Sequence, residues 1–280
     1  MSQISVVTVT NRYGGVDINW SSLRRQSFTN FEWIFNDTHY EERQTAVKSY
    51  TKSDGRVIHV KQGRKDNEAK TWLAHAENEA IAKASGELIV LLQDYIHIAP
   101  DALEKFWIQY KDNPKRMVTG VGHQYGKPGK ADIVDPKGFV TVFAQPFEGI
   151  PTQIVWQDPR IRTDQGSFYK CFPNDIEANF CAIPRKMLYE IGGMDETLDF
   201  YGHAWDNVSM AQRGFMLGYE PYIDQTNISY SVRHDDFFET KVKDNDWTIV
   251  ANYCNQRLQD IRDGKLPVNL GFLTITEKVI

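Results

Sequence analysis

Residues 86–100 read GELIVLLQDYIHIAP. The run Leu88–Leu92 is apolar at odd and even positions alike, and it stops abruptly at Gln93-Asp94. That pattern predicts a strand over Glu87–Leu92 buried on both faces, because a strand with one wet face would alternate. Upstream, Ala69, Trp72, Leu73, Ala76, Ala80, Ile81 and Ala84 recur at spacings of three and four, the apolar stripe of a helix over Asn67–Ala84. Gly86 ends that helix. A helix feeding a doubly buried strand is the unit of a parallel sheet covered on both sides.

The same alternation holds before this unit. Ile4–Thr10, Phe31–Phe35 and Val57–Val60 read as strands, and Asp17–Gln26 as a short helix. Asn11, Asp37 and Asp94 therefore all fall at carboxyl ends of strands, where sheets of this kind bind ligands. Asp101–Tyr110 reads as a helix. Residues 123–175, rich in Gly, Pro and aromatic residues, read as an excursion that shapes a pocket, with β-like pieces at Phe139–Ala144 and Gln153–Trp156. Order returns with a strand over Ala178–Ile183, a helix over Arg185–Ile191 stopped by Gly192-Gly193, and a helix over Asp206–Arg213. A strand over Ile228–Val232, a helix over Asp246–Arg262 and a last strand within 266–280 complete the reading. Three segments follow: residues 1–100, 101–235 and, as a helical extension, 236–280.

Composition narrows the function. Hydrophobic residues make up 41% and charged residues 25% of 280, ordinary for a globular chain with a real core. A net charge of -5 argues against a general polyanion binder, whose affinity rests on Lys and Arg. Cys171, Cys181 and Cys254 are three scattered thiols with no zinc-site spacing. No segment approaches the ~20 apolar residues of a membrane span, and the first residues lack the pattern of a signal peptide. The expectation is a soluble, cytoplasmic protein.

The pieces VVTVTNR, FEWIFNDT, NEAIAKASGELIVLLQD, IPRKMLYEIGGMDE and HAWDNVSMAQRG, in that order, resemble glycosyltransferase family 2 over about residues 4–235. The resemblance implies an α/β GT-A fold, a Rossmann-like, mostly parallel sheet flanked by helices. It also implies an inverting, hexosyltransferase-like enzyme that uses a nucleotide diphosphate sugar, most readily a UDP-sugar, with residues 1–100 as its donor half and 101–235 as its acceptor and catalytic half. On it Asp37 matches the nucleoside-binding aspartate, and Thr10, Asn11 and Arg12 lie beside the first strand's end within reach of the nucleotide. Gln93, Asp94 and Tyr95 fall on the family's Asp-X-Asp metal motif, so only the central acid remains. Three readings of Asp94 stand: it binds Mn²⁺ or Mg²⁺ with help from His97 or His234, it contacts ribose while basic groups neutralise the diphosphate, or the donor site is degenerate. Gly192-Gly193-Met194-Asp195-Glu196 matches the turn that bends near the donor sugar, with Asp195 and Asn179 as sugar-facing candidates. The family's Glu-Asp pair reads Trp205-Asp206 here, which makes Asp206 the general base and Trp205 either an aromatic wall for the sugar or core.

The acceptor is a hydroxyl compound, a saccharide or, less readily, a modified nucleic-acid base. The second choice rests on Lys111, Lys115, Arg116, His123, Lys127 and Lys130 around Tyr125, read as a phosphate-contacting patch or a solvated loop. The competing reading of the whole chain is a catalytically silent nucleotide- or sugar-binding module.

Overall fold

A computed structural model describes residues 2–11, 15–63, 69–125, 154–202, 204–232 and 246–274. Strand β1 (Ile4–Thr10) leads to helix α1 (Val16–Leu23), β2 (Phe31–Asp37), α2 (Tyr40–Tyr50), β3 (Val57–Lys61), α3 (Leu73–Lys83) and β4 (Leu88–Leu92). The short β5 (Ile96–Ile98) follows, then α4 (Ala102–Asp112), β6 (Arg116–Tyr125), β7 (Ile154–Gln157) and β8 (Phe168–Lys170). The chain continues through β9 (Phe180–Pro184), α5 (Arg185–Glu190), α6 (Asp206–Met216), β10 (Glu220–Val232) and α7 (Trp247–Arg262).

The strands form one sheet in the order β3-β2-β1-β4-β9-β6-β10-β5, with β7 on β6 and β8 on β10. Pairing is parallel throughout β3-β2-β1-β4 and between β6 and β10, while β9 runs antiparallel to both its neighbours. The sheet thus continues through the proposed donor and acceptor halves without a break. This is the α/β architecture expected of a GT-A fold.

Strand β4 shows why the opening stretch is apolar everywhere. Leu88, Val90 and Leu92 pack with Ile4, Val6, Phe31, Trp33, Trp20, Leu103 and Phe106 on one face. Ile89 and Leu91 pack with Val7, Ile34, Ala80, Ile81, Ile183 and Met210 on the other. Each buried side chain of this size contributes about 1.5–3 kcal/mol. Gly86 sets the close approach of β4 to β1. A Cβ there would lie 2.5 Å from the Ser5 nitrogen and 2.7 Å from the Ile4 carbonyl carbon, both backbone atoms that cannot yield.

Several expectations are corrected. Helix α2 and strands β5 and β6 are elements that the sequence pattern does not announce, α3 begins at Leu73 rather than Asn67, and β10 starts eight residues before Ile228. Residues 266–274 contain bends and no strand, and residues 275–280 lie outside the described residues. Of the basic residues around Tyr125, Lys111 and Lys115 are exposed and Arg116 is half-buried. Lys111 lies over Trp107 and Lys115 over Tyr219, and Arg116 pairs with Asp112 while stacking on Phe168 and Tyr222. Phe139–Ala144, Lys127 and Lys130 lie outside the described residues.

Candidate active site

The parallel strand ends meet as expected. Thr10 closes β1, and its hydroxyl donates to Asp94 Oδ2 at 2.6 Å just beyond the neighbouring β4. The loop carrying Asp94 is clamped by α1, since Asn19 Nδ2 donates to the carbonyls of Gln93 at 3.0 Å and Ile96 at 2.9 Å. Gln93 is half-buried, and its backbone N–H donates to the carbonyl of the exposed Asn179. Tyr95, at the third position of the metal-motif match, is fully buried with φ of 62°. Its ring belongs to the interior rather than to a ligand. His97 is likewise turned away, with Nε2 at 3.3 Å from Arg25 Nη2. Burial, then the Arg25 charge, pushes the His97 pKa down to about 2. Asn11 is exposed beside Thr10, while Arg12 and His234 lie outside the described residues.

Among the described residues no group of three or more His, Cys, Asp or Glu is arranged to hold a metal ion. Asp94 is the single carboxylate that the motif position brings to the strand ends. Mg²⁺ and Mn²⁺ want several oxygen ligands, so the described residues do not by themselves make such a site.

Asp37 is completely buried, and both its oxygens are occupied. Oδ1 accepts from the His39 backbone N–H at 2.8 Å and from Arg43 Nη2; Oδ2 accepts from Arg43 Nε at 3.1 Å and faces His59 Nε2 at 3.0 Å. Burial alone would raise the Asp37 pKa, but the hydrogen bonds from His59 and Arg43, the Arg43 charge and the His39 N–H together lower it. His59 in turn stacks on Phe35, with ring centroids 5.1 Å apart. The carboxyl end of β2 is therefore a packed Asp37–Arg43–His59 unit, in which Arg43 Nη1 is buried without a hydrogen-bond partner.

The second half of the site gathers around the glycine turn and the start of α6. Gly192 and Gly193 have φ of 72° and 86°, and a Cβ on Gly193 would lie 2.5 Å from Asn78 Oδ1. Asn78 of α3 bridges the turn, donating to the Met194 carbonyl and accepting from the Met194 N–H. Arg213, fully buried on α6, donates from Nη1 to the Ile191 carbonyl and from Nη2 to the Gly193 carbonyl, both at 2.7 Å. That one side chain fixes the turn to the helix that carries Asp206. Asp195 is spoken for: Oδ1 accepts from Thr197, and Oδ2 accepts from Arg257 Nε at 2.7 Å.

Ala204 and Trp205 both adopt left-handed φ, 83° and 69°. Such residues cost about 1–3 kcal/mol each and persist where the surroundings hold them, often at functional sites. The half-buried Trp205 packs against Leu198, Val250, Cys254 and Leu258. The turn delivers Asp206 to the first position of α6, where the helix dipole favours an anion. Even so, burial first, then the charges of Asp199 and Glu177, outweighs the backbone N–H groups, and the Asp206 pKa is pushed up to about 6. Its Oδ2 has no hydrogen-bond partner, and neither does Oε2 of the buried Glu77 on α3. Burial and the charges of Asp206 and Asp199 push Glu77 well above the ordinary carboxylate range.

Arg43, His59, Glu77, Arg213 and Arg257 were not foreseen from sequence. Only the helical position of Arg213, seven residues beyond Asp206, carried any local signal.

Comparison with known proteins follows this geometry. No curated protein matches the sequence. The chain superimposes on S. aureus TarS residues 1–349, crystallised with UDP, at 13% identity and a TM-score of 0.56, covering 99% of this chain and 76% of that one. It superimposes on GalNAc-T7, crystallised with UDP, GalNAc and Mn²⁺, at 14% identity and a TM-score of 0.62, covering 100% of this chain and 53% of that one. These likenesses establish the shared fold. The sequence matches Glycosyl transferase family 2 over residues 5–192, a span that includes Thr10, Asp37, Asp94 and the first glycine of the turn and stops short of Asp195, Trp205 and Asp206. The chain belongs to glycosyltransferase family 2.

Proposed function

We propose that the protein is an inverting glycosyltransferase that moves a hexosyl unit from a UDP-sugar to a hydroxyl group of a saccharide acceptor, with Asp206 as the base. The observation that carries this reading is Asp206 itself: a buried carboxylate with an unpartnered Oδ2 and a pKa near 6, at a helix start tied through Arg213 to the glycine turn. A base poised near working pH is most effective at taking a proton in a transition state. UDP in both structural neighbours supports the choice of donor.

In the proposed reaction the acceptor O–H gives its proton to Asp206 Oδ2 as the oxygen bonds to the anomeric carbon. The bond from that carbon to the diphosphate oxygen breaks on the opposite face, and its electron pair leaves with UDP. Thr10, Asn11 and Asp94 form the nucleotide edge of the donor half. Asp37 serves the nucleoside end by fixing Arg43 and His59. Gly192 and Gly193 let the backbone come close to the sugar. The Mn²⁺ in GalNAc-T7 supports a divalent cation near Asp94, with His234 as a second candidate ligand. No step here depends on it. Hydrolysis of a UDP-α-sugar, followed by proton NMR before the product mutarotates, is expected to give the β-anomer first. Initial formation of the α-anomer would exclude inversion.

A second reading is favoured by Gln93-Asp94-Tyr95 and by the occupied Asp37 carboxylate: a binding module that holds nucleotide or sugar without turnover. Calorimetry with UDP, with and without Mn²⁺, combined with a turnover assay separates the two. Both readings expect binding, and only the first expects UDP release. The Asp94→Asn variant is expected to weaken UDP affinity ~10- to 150-fold, since a hydrogen bond to a charged group contributes ~1.5–3 kcal/mol. Unchanged affinity would remove Asp94 from the donor site.

A further inference from the structure

Helix α7 lies beyond the residues matched to the family. Its inward face carries Val250, Cys254, Leu258 and Ile261, spaced three and four apart as one stripe, with Arg257 half-buried at its border. From this face and its border, three contacts reach the segment that leads into α6. Arg257 Nε donates to Asp195 Oδ2 at 2.7 Å. The Tyr253 ring stacks on Tyr201 with centroids 3.9 Å apart. The Cys254 thiol donates to the Trp205 carbonyl at 3.7 Å, one residue before Asp206. Burial, then the charge of Asp195, pushes the Cys254 pKa up to about 12, so the thiol keeps the proton it donates.

These contacts bear on the left-handed pair Ala204 and Trp205, which relaxes to ordinary backbone unless its surroundings hold it. Asp195 has both oxygens engaged, one by Thr197 and one by Arg257, and so anchors its segment to α7. We propose that Arg257 is a positioning residue for the transfer: through Asp195 it holds residues 195–202 and the pair Ala204-Trp205 in the shape that presents Asp206 at the start of α6. The proposal rests on the reading of Asp206 as the base. The Arg257 side chain is 17% exposed, so its truncation opens onto solvent and leaves no sealed cavity.

The test compares Arg257→Ala, Arg257→Lys and Asp195→Asn with the parent, measuring kcat, donor KM and thermal midpoint on each purified protein. Misplacement of a catalytic group by about an ångström costs up to ~100-fold, so Arg257→Ala is expected to lower kcat by ~10- to 100-fold with donor KM nearly unchanged. Lysine keeps the charge but loses the planar fork, and recovers kcat only in part. The Asp195→Asn, Arg257→Ala double variant is expected to be no slower than the slower single variant, because both act through one contact. An Arg257→Ala protein with a lower thermal midpoint but parental kcat would overturn the proposal, as would an effect confined to KM. If Asp206→Asn leaves turnover intact, the base assignment falls. A loss of kcat in Arg257→Ala would then still show that α7 positions the reacting segment.

Discussion

Asp206→Asn is expected to slow sugar transfer by ~10²–10⁴-fold, the usual contribution of a positioned base, and at the same time to stabilise the protein at neutral pH. The second effect follows from burial. A carboxyl whose pKa rises from 3.8 to about 6 on folding favours the folded state fully only below 3.8, and that contribution is lost as pH rises through 6. Keeping Asp206 ionised at pH 7 therefore costs on the order of 3 kcal/mol. Asparagine removes the charge and the cost. Urea unfolding at pH 7 and at pH 5 should show the variant's advantage shrinking at the lower pH. In the parent enzyme, kcat/KM should fall tenfold per pH unit below about 6 as Asp206 takes a proton. A variant that is both slower and less stable at pH 7 would make Asp206 a structural residue.

Arg43→Ala is expected to be among the most destabilising single changes in the donor half. Asp37 and Arg43 are both fully buried, and removing one partner of a buried ion pair leaves an uncompensated charge, a loss of about 3–5 kcal/mol. Asp37 itself has a lowered pKa, so its pairing stabilises the fold above 3.8 and is lost as pH falls through its still lower folded value. Chemical denaturation across pH checks that sign. A loss below 1 kcal/mol at pH 8 would mean that the Asp37–Arg43 pair contributes little.

The alternating βα half was legible because its signals are local. Leu88–Leu92 is apolar on both faces because both faces are covered, and α3 shows its stripe for the same reason. Helix α2 was hidden because Tyr40–Tyr50 buries only Arg43 and Val47, and an arginine reads as surface until its carboxylate partner is known. Strand β6 was hidden by two glycines and four polar residues in Arg116–Tyr125, of which Arg116 is satisfied by contacts with α4, β8 and β10. At the site, Asp37, Asp94 and Asp206 could be placed from strand ends and a helix start. Their surroundings could not. Thr10 meets Asp94 across 84 residues and Arg257 meets Asp195 across 62, and neither pair has a local pattern. Tyr95 shows the opposite failure: it sits in a ligand motif by alignment and in the core by packing.

The measurement closest to the central claim is a donor-hydrolysis screen of UDP-, GDP- and TDP-sugars on the parent and the Asp206→Asn variant, with and without Mn²⁺, following release of the nucleotide diphosphate. The account predicts that at least one UDP-sugar is cleaved by the parent, and that the variant binds it with similar affinity while releasing UDP ~10²-fold or more slowly. Failure of the parent to bind or cleave any nucleotide sugar, or equal rates in the two proteins, would contradict it.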